Sequence, residues 1–446
     1  MKRNFFANYT RRVIVTTVLA AFVSASPAGV QTDNACRQRQ FGKFSEWSAA
    51  VNMGPVVNSA DLEFWPAISP NGLSLYFGSN RPGSIPGPQI QDIWVTQRAS
   101  LDAPWGEPRN LGPNINTAFR ENSPRLSRDG HWLIFGSARV AGRCSANSQN
   151  DFYVSYRENA EDDFAWEPAV NFGCELSAAG TNTGPTFFHD DDKGITTLYF
   201  GSTRIGSGSG IQNYKVYMST RGFHGAFGPP ALVPELRSSL TDNAPSVRSD
   251  GLEMFLGWNE LANAGPGSLS VATRETTSQP WSTPKNLGPI INSAYLDWFP
   301  NLSCDGTTLY FNSNRPGGFG SHDIYYATRK RLEEPAPVLL SASRDGSRQG
   351  AILHAGTSQV ASATNPAVIG EVLEIYGTGL VDGSAVPPQI AIGDRVAEVL
   401  YFGKAPGFVG LNQMNVRVPA ISPGAAVPVR LTYLDRLSNE VTIGVR

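Results

Sequence analysis

Histidine is scarce: five residues in a chain of 446. They fall at His131, His189, His224, His322 and His354, in unrelated settings, so no convergent metal site is expected from them. No His-Glu-x-x-His, Gly-x-Ser-x-Gly, phosphate loop or dinucleotide fingerprint occurs, which removes the signatures of several large enzyme classes. Charge is also thin. Charged residues make up 17% of the chain, well below the usual quarter. The formal net charge of -2 leaves no basic surplus of the kind nucleic-acid binders carry, so no nucleic-acid partner is expected. Cysteine stops at four, with no Cys-x-x-Cys spacing to suggest zinc. The apolar run Val13 to Val23 falls short of the ~20 residues of a membrane span.

What is present is turn chemistry and aromatic bulk. The chain holds 45 glycines, 32 prolines and 10% aromatics, a balance that favours many short strands joined by tight turns. Lys2, Arg3, Arg11 and Arg12 precede the apolar run, and small residues through Ala25 and Ala28 follow it. That is the layout of a secretory signal peptide over residues 1–28. Its removal leaves 32 basic against 38 acidic residues. The mature protein is expected to be secreted or periplasmic, without a membrane span, and monomeric.

Aligning the chain on itself reveals one unit five times, with anchor prolines at Pro66, Pro124, Pro185, Pro245 and Pro300. The unit centres read FWPAISPNGLSLYFGSNRPG, NSPRLSRDGHWLIFGSAR, TGPTFFHDDDKGITTLYFGSTR, NAPSVRSDGLEMFLGWNE and WFPNLSCDGTTLYFNSNRPG. Each is followed by a short strand such as Asp92-Ile93-Trp94-Val95, then by a fourth strand expected to begin at an aromatic residue: Trp47, Trp105, Trp166, Phe227 or Trp281. Asn-Gly or Asp-Gly between the first two strands is a strong hairpin signal. The apolar LYF run suits burial on both faces. Four-stranded units repeated at this period predict an all-β propeller of five blades over residues 36–331, with six blades as the alternative. A leading strand near Trp47 to Asn58 is expected to close the ring on the last unit.

The P-x-x-S-x-D-G-x-x-L-Y-F-x-S-x-R…D-I-Y pattern, intact from Pro300 to Tyr325, resembles the TolB-type WD-like β-propeller repeat. That resemblance implies an architecture and no single activity. On the propeller's topology, the cysteines are expected to pair as Cys36 with Cys304 and Cys144 with Cys174. Residues 332–340 read as a linker. The run from Gly370 through Tyr376-Gly377-Thr378-Gly379 to Pro419 resembles an Ig-like C-terminal domain common on secreted acidobacterial proteins, implying a small β-sandwich over residues 341–446.

Three residues before each anchor proline stand Glu63, Glu121, Asn182, Asp242 and Asp297, and Arg81, Arg139, Arg204 and Arg315 close the second strands. The topology brings both sets to one axial mouth. Each acid is expected to pair with the arginine of its own unit, a framework role. The fourth unit departs from this, with Trp258 for the serine and Glu260 for the arginine. Asp242 is therefore expected to lose its partner, and two facing acids could recruit a cation. Asp242, Glu260 and Trp258, with Glu63, Glu121 and Asp297, form the candidate site for a cation, a basic peptide group or a sugar. No other cofactor and no catalytic residue is assigned. Asp190-Asp191-Asp192 reads as a solvated hairpin tip. The loops joining second and third strands vary in length and content, as recognition loops on a repeated scaffold do. The expected function is noncatalytic binding of a protein or glycan of the cell envelope or surroundings by this loop face. The alternative is a glycoside hydrolase or lyase using acids at the mouth.

Overall fold

The computed structural model describes residues 44–87, 91–144, 149–177, 180–204, 214–222, 225–238, 241–259, 267–332, 336–380, 387–433 and 436–446. They divide into two compact units, one ending at Arg331 and the other starting at Leu332. The first is built from five four-stranded antiparallel sheets. Strand β1 (Val51–Asn52) comes first in the chain, and each repeat then contributes its strands in order. The first sheet contains β2 (Glu63–Ile68), β3 (Ser74–Ser79), β4 (Asp92–Gln97) and β5 (Arg109–Asn110). The second contains β6 (Glu121–Leu126), β7 (Trp132–Ser137), β8 (Asp151–Tyr156) and β9 (Val170–Asn171). The third contains β10 (Asn182–Asp190), β11 (Ile195–Ser202), β12 (Lys215–Arg221) and β13 (Ala231–Leu232). The fourth contains β14 (Thr241–Val247), β15 (Glu253–Asn259), β16 (Ser268–Thr273) and β17 (Lys285–Asn286). The fifth takes β18 (Asp297–Leu302), β19 (Thr308–Ser313) and β20 (Asp323–Thr328), and its outer strand is β1.

The innermost strands β2, β6, β10, β14 and β18 each touch the next, and β18 returns to β2. The arrangement is propeller-like. Closure follows the expected route: Val51 pairs with Tyr326 and Asn52 with Tyr325. The Asn58 amide adds two more bonds, accepting from Ile324 N–H at 2.8 Å and donating to Ile324 C=O at 3.1 Å. Asn116 does the same with Ile93, and Asn292 with Leu269.

The apolar second strands explain how the sheets stack. In β3, Tyr76 packs into a core shared with Leu133, Phe135 and Tyr153 of the second sheet. Its neighbours Leu75 and Phe77 point the other way, into a core shared with Tyr310 and Ile324 of the fifth. A strand's period of two thus feeds two inter-sheet cores at once, and burying each large apolar side chain contributes about 1.5–3 kcal/mol. Five such clusters fill the five sheet-to-sheet junctions.

The fourth strands differ from expectation. Each is only two residues long, and the aromatic residue expected to start it lies in the preceding connection. There the ring packs under an arginine just beyond or at the end of the third strand. The pairs are Arg98 with Trp105 (4.5 Å), Arg157 with Trp166 (4.3 Å), Arg221 with Phe227 (5.1 Å), Arg274 with Trp281 (4.2 Å) and Arg329 with Trp47 (4.6 Å). In four of these, arginine Nε also donates to the hairpin-turn glycine carbonyl: Gly72, Gly130, Gly251 and Gly306. The stack fixes the aromatic, and a strand is not required.

Every inner strand also carries a bulge just before its anchor proline. Trp65, Ser123, Ala244 and Phe299 stand there with φ between 51° and 55°, and Gly184 occupies the position in β10 with φ 56°. Non-glycine residues in this region are strained and persist only where surroundings over-determine them.

The second unit consists of two five-stranded sheets. Val372–Thr378 and Asn412–Arg417 lie central in one, Gly424–Tyr433 in the other. Leu373, Ile375, Met414 and Val416 share a single core with Ile390, Val429, Leu431 and Ile443. The disulfide Cys144–Cys174 is present. Cys304 is also disulfide-bonded, while Cys36, like the leader segment 1–28, lies outside the described residues. No helix among the described residues is long and apolar enough to cross a membrane.

A Cβ on Gly184 would sit 2.5 Å from Ala244 Cα in the neighbouring sheet. Gly184→Ala is therefore expected to destabilise the first unit by about 1–3 kcal/mol. A lower midpoint in urea unfolding checks this, and an unchanged midpoint would refute the close-approach reading.

Candidate functional site

The expected acid ring exists as a set of separate ion pairs. Glu63, Glu121 and Asp297 open their inner strands fully buried. Each faces the arginine two residues past its own sheet's second strand: Arg81 Nη2–Glu63 Oε1 2.8 Å, Arg139 Nη2–Glu121 Oε1 3.3 Å, and Arg315 Nη2–Asp297 Oδ1 2.5 Å. The arginine also donates Nε to the intervening serine (Ser79, Ser137, Ser313) and Nη2 to a carbonyl of the preceding connection (Val57, Ile115, Ile291). The same connection returns N–H and hydroxyl donors to the acid from Ser59, Thr117 and Ser293. In the third sheet Asn182 Oδ1 accepts from Arg204 at 3.2 Å, and burial lowers the Arg204 pKa where no acid stands opposite. Burial likewise raises that of Glu121. These groups tie each connection to its sheet, and their hydrogen-bonding capacity is used there.

In the fourth sheet, the expectation that Asp242 loses its partner is overturned. Lys215 Nζ lies 3.0 Å from Asp242 Oδ2 and donates also to Ser238 C=O at 2.9 Å. Lys215 opens β12 of the third sheet, where the first, second and fifth sheets place Asp92, Asp151 and Asp323. Two departures in adjacent repeats thus compensate: the cation lost from one sheet is supplied by its neighbour. Burial still raises the Asp242 pKa. Trp258 pairs through its backbone with Asp242 and Ser268, and Glu260 lies outside the described residues. So do residues 205–213 and 261–266, and parts of two more of the second-to-third-strand loops. The five acids and amides are therefore brought together each with its own cation, and not with one another. Asp191 of the acidic triplet pairs with Arg128 at 2.9 Å, its side chain 60% exposed.

Three cavities among the described residues lie at the opposite end of the strands, where the hairpin turns gather. One of them, about 550 Å³, is a groove at the closure between the first and fifth sheets. Half-buried Trp105 and Tyr326 line it, with polar Asn71, Arg98, Asp305 and Asn52. Tyr310 and Tyr326 stack obliquely at 6.3 Å in one wall, and Arg98 covers Trp105. Repeat alignment missed this groove because no single repeat contains it. The closing strand, by contrast, was in the sequence reading and marks its seam.

His189, half-buried between Phe187 and Thr196, has Nδ1 3.1 Å from Thr196 Oγ1 and no partner at its buried Nε2. Burial, with Arg128 and Arg221 nearby and Asp129 and Asp191 opposing them, pulls its pKa from 6.5 to about 4.

No family model matches the chain, and no curated protein does. Solved structures do. An α-L-arabinofuranosidase from Podospora anserina in complex with cellotriose is 12% identical, covering 64% of this chain and 98% of its own, TM-score 0.42. A GH43_1 enzyme from Xanthomonas citri complexed with xylotriose is 14% identical over 69% and 94%, TM-score 0.42. TolB from Acinetobacter baumannii is 11% identical over 65% and 64%, TM-score 0.37. Likenesses at this level assign no residue a role.

Lys215→Met leaves a buried carboxylate without its cation and is expected to cost about 3–5 kcal/mol at neutral pH. Because Asp242 is the group that suffers, lowering the pH should recover part of the loss, and Lys215→Met/Asp242→Asn should recover most of it, both read from denaturant midpoints. For His189, whose folded pKa lies below the unfolded value, stability is complete above pH 6.5 and declines as pH falls towards 4. The loss is at most about 3 kcal/mol. His189→Gln should flatten that limb of the stability–pH curve.

Proposed function

We propose that the protein is an exported, noncatalytic binding protein: a five-bladed β-propeller followed by an Ig-like sandwich, which begins with the strand Val338–Leu339 and so takes in the end of the linker expected over residues 332–340. Its ligand is a glycan of the cell envelope or surroundings, taken by the groove at the closure seam. The groove itself carries this reading. Sugars present apolar C–H faces and hydroxyl edges, and a concavity that offers the half-buried rings of Trp105 and Tyr326 beside Asn71, Arg98 and Asp305 matches both. Variable loops at the other rim, expected from sequence to recognise a protein or glycan, remain part of the proposal as a second surface.

The second reading is a glycoside hydrolase or lyase. Among the solved likenesses are an α-L-arabinofuranosidase and a GH43_1 enzyme, at 12% and 14% identity. Glycoside hydrolysis uses two carboxyl groups about 5–9.5 Å apart across an open cleft. Glu63, Glu121 and Asp297 are instead buried against arginines and Asp242 against Lys215, which leaves that chemistry without its expected residues at the mouth.

Calorimetric titration with neutral xylo- and cello-oligosaccharides should show saturable binding without release of new reducing ends. Trp105→Leu should weaken it about tenfold or more while the fold persists by circular dichroism. Appearance of reducing ends would establish the hydrolase reading. Absence of any glycan binding, or binding indifferent to Trp105, would reject the groove.

A further inference from the structure

Of the five residues that immediately follow the anchor prolines, four line one cavity to which all five sheets contribute, and the fifth, Ala67, packs in the core between the first and second sheets. The position holds Ala67, Thr186, Ser246 and Asn301 in four sheets, and Arg125 in the second. Arg125 is 7% exposed. Its Nη1 donates to Pro66 C=O at 2.9 Å and its Nη2 to Pro300 C=O at 2.8 Å, so the guanidinium reaches from the second sheet to both the first and the fifth. Its Nε is buried without a partner. Burial alone, with no neighbouring charge opposing it, draws its pKa down to about 9. Every other arginine at a repeated station described above has a carboxylate, a serine, a carbonyl or an aromatic face in a recurring place. Arg125 recurs nowhere.

A cavity of about 110 Å³ opens at this guanidinium on the hairpin-turn end of the axis. Arg125, Arg128, Thr186, His189, Ser246 and Asn301 are among its walls, and no aspartate or glutamate lines it. Two of the polar walls already accept a backbone N–H. Asn301 Oδ1 accepts from Ile68 N–H at 2.7 Å, and Ser246 Oγ accepts from Leu302 N–H at 3.0 Å. Each still carries a donor, the Asn301 amide N–H and the Ser246 O–H. The chamber is therefore a donor-lined space around an arginine, which stays protonated in proteins, with no acid to balance it. An uncompensated buried charge costs several kcal/mol, and two carbonyl dipoles offset only part of it.

We propose that this axial chamber is an oxyanion site, in which Arg125 binds a carboxylate, sulfate or phosphate group assisted by Asn301 and Ser246. The cavity admits a group of a few heavy atoms, not a whole sugar ring. Ser69, Pro70, Ser303 and Cys304 line both this chamber and the groove at the closure seam. The anion can therefore come free from solution or as the acidic substituent of a larger ligand lying in the groove. The site does not depend on the glycan reading, since a free oxyanion satisfies it alone. Arg125 also ties three sheets together through the proline carbonyls, and a purely structural arginine would make those same bonds. What such a role leaves unexplained is the unpartnered Nε and the acid-free, donor-lined cavity.

The experiment is a titration of the full chain, in a low-salt zwitterionic buffer, with sodium sulfate, inorganic phosphate, glucuronate and glucose as the neutral control. Calorimetry and thermal unfolding are the readouts. One saturable site for at least one of the three anions, none for glucose, and a melting temperature rising with anion concentration are expected. Arg125→Gln should weaken binding about tenfold or more. Thr186→Leu, which fills the chamber while keeping the arginine, should also abolish it and covers the case in which Arg125→Gln fails to fold. Tighter binding of glucuronate than of sulfate and phosphate identifies an acidic substituent as the ligand, and the reverse order identifies a free oxyanion. Failure of all three anions to bind the unaltered protein, or binding unchanged in Thr186→Leu, makes Arg125 a structural tie and overturns the proposal. Glycan binding that survives either result leaves the groove reading standing.

Discussion

The pairing of Val51 and Asn52 with Tyr326 and Tyr325 is the contact on which the rest of the first unit depends. It supplies the fifth sheet with its outer strand and joins the beginning of the ring to its end. Asn52 Nδ2 donates to Asp323 at 2.8 Å while its Oδ1 receives Gly54 N–H and the Asn58 amide. The connection is therefore held by side chains as well as by the ladder. The core between Leu75, Phe77 and Trp94 on one side and Tyr310 and Ile324 on the other forms only when that seam is shut. Both cavities discussed above have walls from the first and fifth sheets, so the proposed ligand surfaces share this requirement.

Electrostatics in this fold divides into a repeated part and a singular part. The repeated part consists of an acid or amide, a serine and an arginine at one end of four of the five sheets, and an arginine over an aromatic ring at the other end of each. Such pairs recur because each solves the same local problem of anchoring a connection, and a side chain that donates to carbonyls, hydroxyls and carboxylates has little left for a ligand. The exchange around Asp242 obeys the same rule across a sheet boundary, since a buried carboxylate must find a cation from somewhere.

The repeat was legible because period-two burial, the Asn-Gly and Asp-Gly turns and the anchor prolines are all local signals. The acid–arginine pairs in the first, second and fifth sheets were legible for the same reason: two residues in one repeat meet through one hairpin. Lys215 was not, because its partner belongs to the next repeat, and alignment compares repeats without joining them. Arg125 is an odd residue among Ala67, Thr186, Ser246 and Asn301, but a departure from one column carries no sign of the carbonyls in two other sheets that its guanidinium reaches. The short outer strands were misjudged for a further reason. A tryptophan beside a proline-rich turn carries high strand propensity, whereas its position here is decided by stacking on an arginine, which propensity does not encode.

The closing strand has a temporal consequence. Asn52 and Asp323 are 271 positions apart, so during synthesis from the N-terminus the first strand is made long before its partner exists. Until β20 emerges, β1 is an orphan and the flanks of β2, β3 and β4 that face the fifth sheet stay wet. Growth of the stack can proceed sheet by sheet, but the ring latches only at the last repeat, and contacts of such long reach are slow to form. A chain truncated before residue 323 would be left with an open seam, however well its earlier sheets had stacked.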